Sequence, residues 1–204
     1  MMLEVALALP LLALSLWLAP WRMLRQANLA TPWLASLTLT PLIWAIPFLQ
    51  HMPLALHWSG APLVTLLLGW PLAVPTLSLA ALALWLLAPV SAETVLQIWA
   101  WQAILPATFT LLIGAALRRW VVHHPLVYIL GRGFFGTVLS LFLAFMLGQW
   151  SGLALPNVSD DLTRVAFWLM AWGDAFMTGM LCAIFVAFRP QWLATWSDPL
   201  YLRV

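Results

Sequence analysis

Residues 62–88 read PLVTLLLGWPLAVPTLSLAALALWLLA and contain no charged side chain. A helix needs about 20 predominantly apolar residues to cross the ~30 Å hydrocarbon core of a bilayer, so this stretch is long enough for one span. Gly69, Trp70 and Pro71 interrupt it, and glycine and proline are the residues that most often end or bend a helix. Whether the stretch forms one segment or two decides how the rest of the chain crosses the membrane.

The composition of the whole chain predicts a membrane protein. Hydrophobic residues make up 65% of the sequence, charged residues only 7%, the mean hydropathy is +1.01, and there is no lysine. A soluble domain has about 25% charged residues. The few charges are dispersed, which argues against nucleic acid as a partner. We therefore expect an all-α bundle that forms a single integral membrane domain over residues 1–204, with the lipid bilayer as its solvent.

The arginine pairs indicate the orientation of the helices. Arg22 and Arg25, like Arg118 and Arg119, should face the cytoplasm, because basic residues concentrate on that side. An even number of crossings must then separate the two pairs, and this requires a break at Gly69. The sequence predicts seven helices with a short third segment, the N-terminus outside and the C-terminus in the cytoplasm, at residues 3–19, 31–50, 55–69, 71–88, 97–120, 126–149 and 163–188.

Aromatic residues mark the predicted membrane surfaces. Tryptophan prefers the headgroup region, and eight tryptophans fall at predicted helix ends: Trp21, Trp58, Trp70, Trp99, Trp101, Trp120, Trp150 and Trp192. Residues 190–204 mix aromatic with charged side chains, which predicts an interfacial tail on the cytoplasmic face. The lysine-free usage, rich in Arg, Ala, Leu and Trp, favours a bacterial inner membrane.

Two groups of residues are candidates for chemistry. His57 and His51 lie on the predicted outer loop, where imidazoles are able to bind a late transition metal; the alternative is a pair of interfacial histidines that bind water. Arg132 and Asp174 lie within two consecutive spans, where charges are costly and usually pair in the bundle interior. We expect them to form an ion pair, with a structural role or a role in transport, and we expect Arg132→Gln to rescue Asp174→Asn partly. Snorkelling of Arg132 towards the membrane surface is the alternative.

Several patterns are excluded. The G-x-G-x-x-G sequence at residues 131–136 lies inside an apolar helix, whereas the dinucleotide fingerprint follows a strand, so these glycines more plausibly permit close helix packing. No GxxxxGK[ST] sequence for ATP is present. No nucleophile–base set or HExxH appears either, so we do not expect an enzyme.

Four stretches of the sequence carry a resemblance to a known family. The run HWSGAPLVTLLLGWP at residues 57–71 resembles the third-helix motif of cobalt and nickel permeases of energy-coupling factor (ECF) ABC transporters, in which a histidine precedes a Gly-Trp pair by twelve residues. The runs VYILGRGFFG at 127–136, GDAFMTGM at 173–180 and FRPQW at 188–192 look like a further branch of that superfamily.

The resemblance implies a seven-helix substrate-capture subunit that works with two ATPase subunits and a transmembrane scaffold subunit. In the metal permeases the ligands are the N-terminal amine, a histidine at position two and the third-helix histidine. Only the last carries over, to His57, because position two is Met2 here. A site with His57, Met1, Met2 and His51 would take nickel, cobalt or the softer copper ion. It is equally consistent with the resemblance that this branch of the superfamily, which lacks the Met-His start, binds no metal. A different hypothesis is a non-transporting protein that assists the assembly or stability of another membrane complex.

Overall fold

The computed structural model describes residues 2–26, 29–52, 58–122, 124–155 and 158–201, and no strand occurs in these ranges. The all-α prediction is therefore confirmed. The helices are α1 (Met2–Trp17), α2 (Trp21–Gln26), α3 (Ala30–Leu49), α4 (Ala61–Leu68), α5 (Trp70–Leu87), α6 (Ala92–Trp120), α7 (Val127–Trp150), α8 (Asp160–Phe188) and α9 (Asp198–Tyr201), with one 3-10 turn at Pro190–Trp192.

Five of these helices, α3, α5, α6, α7 and α8, are long and apolar enough to cross a membrane. The shorter α1 is also apolar apart from Glu4 and Ser15. Large hydrophobic side chains such as Leu34, Leu82, Leu112 and Leu169 point outwards and are about half exposed, as expected of a surface that faces lipid rather than water. The chain is a polytopic membrane protein.

The predicted break lies where the sequence places it. Gly69 adopts φ +73° and ψ 152°, a backbone conformation that favours glycine, and it separates the eight-residue α4 from α5. Pro71 stands in the first turn of α5, where its missing N–H costs nothing. The third segment is thus short, as predicted. In the described chain it begins at Ala61, whereas the prediction began at residue 55; residues 53–57 lie outside the described residues.

The short helix α4 occupies the centre of the bundle. All eight of its residues are buried, and it packs against α3, α5, α6, α7 and α8. A helix of eight residues is only about 12 Å long, so it covers less than half of the hydrocarbon thickness. Its ends must be satisfied by protein groups, because backbone N–H and C=O groups have no water partners at that depth. These end contacts form the candidate site described below.

Two long helices contain a π-helical stretch, at Ile98–Ile104 in α6 and at Val127–Phe135 in α7. In the second stretch the N–H of Gly136 donates to the carbonyl of Gly131, five residues earlier. A Cβ at position 136 would lie 2.8 Å from that carbonyl oxygen, so glycine fits this wide turn. Stretches of this kind are frequent at functional positions in helices.

Small residues bring α7 and α8 together, as the sequence predicted for residues 131–136. A Cβ at Gly133 would lie 3.1 Å from Cys182 Cβ and 3.6 Å from the backbone of Gly179. A Cβ at Gly179 would in turn contact Phe134 at 3.2 Å. Gly173 differs, since nothing lies within 4 Å of the position where its Cβ would be.

The tryptophans fall into two groups that the sequence did not distinguish. Trp120 and Trp150 end their helices and are 78% and 84% exposed, which fits the membrane surface. Trp70 and Trp101 are buried instead, at 5% and 2% exposure, so these two rings pack inside the bundle rather than against lipid. Their indole N–H groups donate to other helices: Trp70 to Thr108 in α6 and Trp101 to Glu4 in α1.

Candidate functional site

The backbone that leads into α4 is held by three neighbouring helices. Ser59 Oγ donates to the carbonyl of Gln102 in the π-helical part of α6, and the indole of Trp44 in α3 donates to the carbonyls of Trp58 and Ser59 at 3.0 and 3.1 Å. Gly60 then turns the chain into the helix with φ +66°. A non-helical segment is thereby fixed in the bundle interior.

Asp174 provides the third contact. Its two carboxylate oxygens accept the N–H of Ser59 at 2.7 Å and the N–H of Gly60 at 3.4 Å. The Asp174 residue is only 4% exposed. A helix N-terminus carries unpaired N–H groups and roughly half a positive charge, so a carboxylate at this point is electrostatically favourable. Asp174, although it belongs to α8, therefore holds the backbone at the entry to α4, at the N-cap residue Gly60 and the residue before it.

A cavity of about 600 Å³ opens beside this carboxylate. Its walls are formed by α3, α4 and α8, with Trp58 from the preceding segment. Among the described residues that line it, Asp174 is the only one with a charged side chain. The others are mostly apolar: Ala35, Ser36, Leu39, Thr40, Ile43, Leu63, Val64, Leu67, Met170, Gly173, Met177, Leu181 and Phe185.

The C-terminal tail satisfies the other end of α4. The backbone N–H groups of Ala194 and Thr195 donate to the carbonyls of Leu67 and Leu66 at 2.9 and 3.3 Å. The hydroxyl of Thr195 donates to the carbonyl of Leu66 and also shares a 2.7 Å hydrogen bond with Tyr128 on α7. The predicted interfacial tail thus makes specific contacts with the bundle interior, which the sequence did not indicate. Residues 202–204 of that tail lie outside the described residues.

Arg132 belongs to this second end of α4. Its guanidinium donates to the carbonyl of Thr195 at 3.4 Å and lies over the ring of Tyr128, 5.5 Å from the ring centre. It also lies directly against Gly114 on α6, where a Cβ would be within 2.3 Å of the guanidinium. The residue is 6% exposed, and its Nε has no hydrogen-bond partner in the described part of the chain.

The structure does not bring Arg132 and Asp174 together. Within the described ranges no ion pair joins them, because Arg132 faces α6 and the tail, whereas Asp174 faces the start of α4. The expectation of a mutual ion pair is corrected accordingly: both side chains are buried, but each contacts backbone groups at a different end of the same short helix. Snorkelling of Arg132 is not observed either, because the side chain is buried.

The predicted metal ligands are only partly described. His57 and Met1 lie outside the described residues. Met2 begins α1 with an exposed side chain, and His51 follows α3, also exposed, with φ +51°. Within the described ranges no group of three or more His, Cys, Asp or Glu side chains is arranged to hold a metal ion. The metal site remains a prediction that concerns residues beyond these ranges.

Comparison with known proteins assigns no family to this chain. No protein-family model, no curated protein and no solved structure matches this chain.

Sequence reasoning found Asp174 and the break at Gly69 but missed what surrounds them. Ser59 and Trp44 act through side-chain hydrogen bonds to backbone groups, and nothing in their spacing predicts these contacts. The tail contacts use backbone N–H groups, which any non-proline residue provides. One feature of the sequence could have indicated that the tail packs on the bundle: Thr195 lies in a segment with the aromatic residues Trp196 and Tyr201. In the structure these two rings stack on each other and contact Tyr128.

Proposed function

We propose that this chain is a solute-capture and permease subunit of an ECF-type ABC uptake transporter in a bacterial inner membrane. The observation that carries the proposal is the 600 Å³ cavity beside the buried carboxylate of Asp174 and the start of the interrupted helix α4. Transporters build their solute sites in this way, where a helix is broken near the middle of the membrane and its end faces a cavity.

The short helix α4 is held at both of its ends. Asp174 on α8 holds its beginning, and the tail after α8 holds its end through Thr195. A solute that enters between α3 and α8 would contact α4 directly through Val64 and Leu67. Binding would thus be sensed by the same helix that contacts the C-terminal tail, on the side predicted to face the cytoplasm.

Energy must come from partners under this proposal, because the sequence has no nucleotide-binding motif. The partners would be two ATPase subunits and a transmembrane scaffold subunit. The cargo is a small solute or a transition metal ion, and for the metal the ligands would be His57, Met1, Met2 and His51. The tail and the arginine-bearing loops are the surfaces on which we place these partners.

The proposal is tested by purifying the tagged chain from its native membrane in mild detergent. Bound small molecules and metals are then measured by mass spectrometry, and the preparation is assayed for ATP hydrolysis. We expect one solute in near-stoichiometric amount together with co-purified ATPase activity. Gly173→Leu should lower the amount of an organic solute, because the new side chain projects into open space on the cavity wall. Loss of a bound metal in His57→Ala would identify a metal cargo.

A preparation with neither a bound solute nor ATPase activity would contradict the capture role. It would favour the alternative of a protein that assists another membrane complex. That alternative predicts loss of the other complex from membranes of a strain that lacks the chain, which quantitative membrane proteomics would detect.

A further inference from the structure

We infer that the cavity between α3, α4 and α8 binds a small organic solute with an apolar body and one positively charged nitrogen, placed against the carboxylate of Asp174. This inference rests on the proposed function and names the chemical class of its substrate.

The size of the cavity favours an organic molecule over a bare ion. Pockets for small organic ligands range from about 300 to 1,000 Å³, are mostly apolar and carry a few polar groups that fix orientation. The volume here, about 600 Å³, lies within that range. A bare divalent ion would need several N, O or S ligands around one point, whereas Asp174 is the only carboxylate among the described lining residues.

The walls indicate an apolar body. Leu63, Val64 and Leu67 from α4 form one wall, and Met170, Met177 and Leu181 from α8 form another. The hydroxyl of Ser36 is already used, since it donates to the carbonyl of Pro32 at 2.8 Å. A polar solute would lose its hydration against these side chains without gaining comparable hydrogen bonds.

The charge balance indicates a cation. Asp174 carries a full negative charge when ionised, and the N-terminus of α4 offsets only about half a charge. Arg132 does not neutralise Asp174, because it is engaged with Thr195 and Tyr128 at the other end of α4. An anionic solute would be repelled by the carboxylate in this low-dielectric site. A single ammonium group would instead be attracted by the remaining negative charge, and each Asp174 oxygen retains acceptor capacity after one N–H bond.

Two aromatic rings support the same conclusion. Trp58 and Phe185 both line the cavity. The faces of such rings attract cations, most strongly where water is excluded. The inferred ligand therefore meets a carboxylate and two aromatic side chains in one open cavity, and a ring whose face reaches the ligand would add to the attraction.

The test compares three probes of nearly the same shape and different charge: 2-phenylethylammonium, 2-phenylethanol and phenylacetate. Binding to the purified full chain in detergent is measured by calorimetry near pH 7. Gly173→Leu serves as the blocked reference, because micelle partitioning of each probe is the same for both proteins. Asp160→Asn, an exposed carboxylate at the start of α8, is the matched control for loss of charge.

We expect the ammonium probe to bind about ten-fold or more tightly than the alcohol, and the carboxylate probe not to bind. Gly173→Leu should abolish binding, Asp174→Asn should reduce the ammonium probe to the level of the alcohol, and Asp160→Asn should leave both unchanged. Equal affinity for the alcohol and the ammonium probe, binding that persists in Gly173→Leu, or no binding of any probe would overturn the inference. If Asp174→Asn does not fold, Gly173→Leu and the probe series still decide the outcome.

Failure of this inference differs from failure of the proposed function. A neutral or anionic solute that co-purifies with the chain and is lost in Gly173→Leu would keep the capture role and refute the cationic ligand. Selective binding of the ammonium probe without co-purified ATPase activity would keep the site and refute the transporter.

Discussion

The carboxylate of Asp174 on α8 accepts a 2.7 Å hydrogen bond from the backbone N–H of Ser59, which lies 115 positions earlier in the chain. This bond fixes the beginning of α4 to α8. The end of α4 is fixed by the tail that follows α8, through Ala194 and Thr195. Both ends of the central half-helix are thus held by one continuous stretch of chain, and a displacement of α8 relative to the bundle would act on both ends of α4.

Asp174→Asn should destabilise the protein. Hydrogen bonds to charged groups contribute about 1.5–3 kcal/mol, and the amide offers one acceptor oxygen for two backbone N–H groups. We expect the free energy of unfolding to fall by about 2 kcal/mol, measured by reversible denaturation in mixed micelles. Asp161→Asn is the control, because that carboxylate is exposed and its 3.4 Å ion pair with Arg164 should contribute less than about 1 kcal/mol. Equal effects of the two substitutions would refute the role of Asp174 in holding the entry to α4.

Arg132 and Asp174 should behave as independent sites. Since they occupy opposite ends of α4 and share no partner, the free-energy changes of Arg132→Gln and Asp174→Asn should add to within about 0.5 kcal/mol. A double-mutant cycle on unfolding measures this directly. Partial rescue in the double mutant, as an ion pair would give, would show that the two charges interact in the membrane.

Thr195→Val should loosen the C-terminal tail. The hydroxyl of Thr195 joins Tyr128 to the carbonyl of Leu66, and its removal leaves both buried groups with one partner fewer. We expect a loss of about 1–3 kcal/mol in unfolding free energy and faster maleimide labelling of Ser197→Cys. Thr38→Val is the control, because its exposed hydroxyl bonds only to carbonyls of its own helix. Unchanged labelling in Thr195→Val would mean that the tail is held by other contacts.

The sequence predicted the helical segments of this fold well, but it did not predict which side of each helix faces which neighbour. Gly69, Trp70 and Pro71 marked the break in the third segment, because their backbone requirements are local. The partners of Arg132 and Asp174 depend instead on how α7 and α8 are rotated about their axes. Helices that are apolar on every side carry no stripe from which that rotation can be read.

The same argument explains the cavity. Asp174 could be recognised as a functional candidate because an intramembrane charge is rare. The cavity beside it forms because α3 and α8 line opposite walls over the short α4, with no side chain at Gly173 to fill the space. This gap is formed by three segments that are distant in sequence, so it can be recognised only when their packing is known.

Two glycine substitutions should have opposite consequences. Gly114→Ala places a methyl group within 2.3 Å of the Arg132 guanidinium, so it should displace that side chain and cost about 1–3 kcal/mol. Gly173→Ala meets nothing within 4 Å and should be neutral or stabilising, because alanine favours a helix by up to about 1 kcal/mol. Thermal unfolding midpoints in one detergent compare the two. A stable Gly114→Ala protein would contradict the position of Arg132 against α6.

The orientation of the helices can be tested with single cysteines. Ser91 precedes α6 and Trp150 ends α7, so in the predicted orientation Ser91→Cys and Trp150→Cys should react with a membrane-impermeant maleimide from outside. Trp120→Cys, at the end of α6, should react only after the cytoplasmic side is opened.

Trp70, although predicted to lie at the cytoplasmic surface, is buried and therefore unsuitable as a reporter. The native Cys182 is buried and gives the unreactive background. Labelling of Ser91→Cys from the cytoplasmic side would contradict the seven-span arrangement, because α4 and α5 would then count as one crossing.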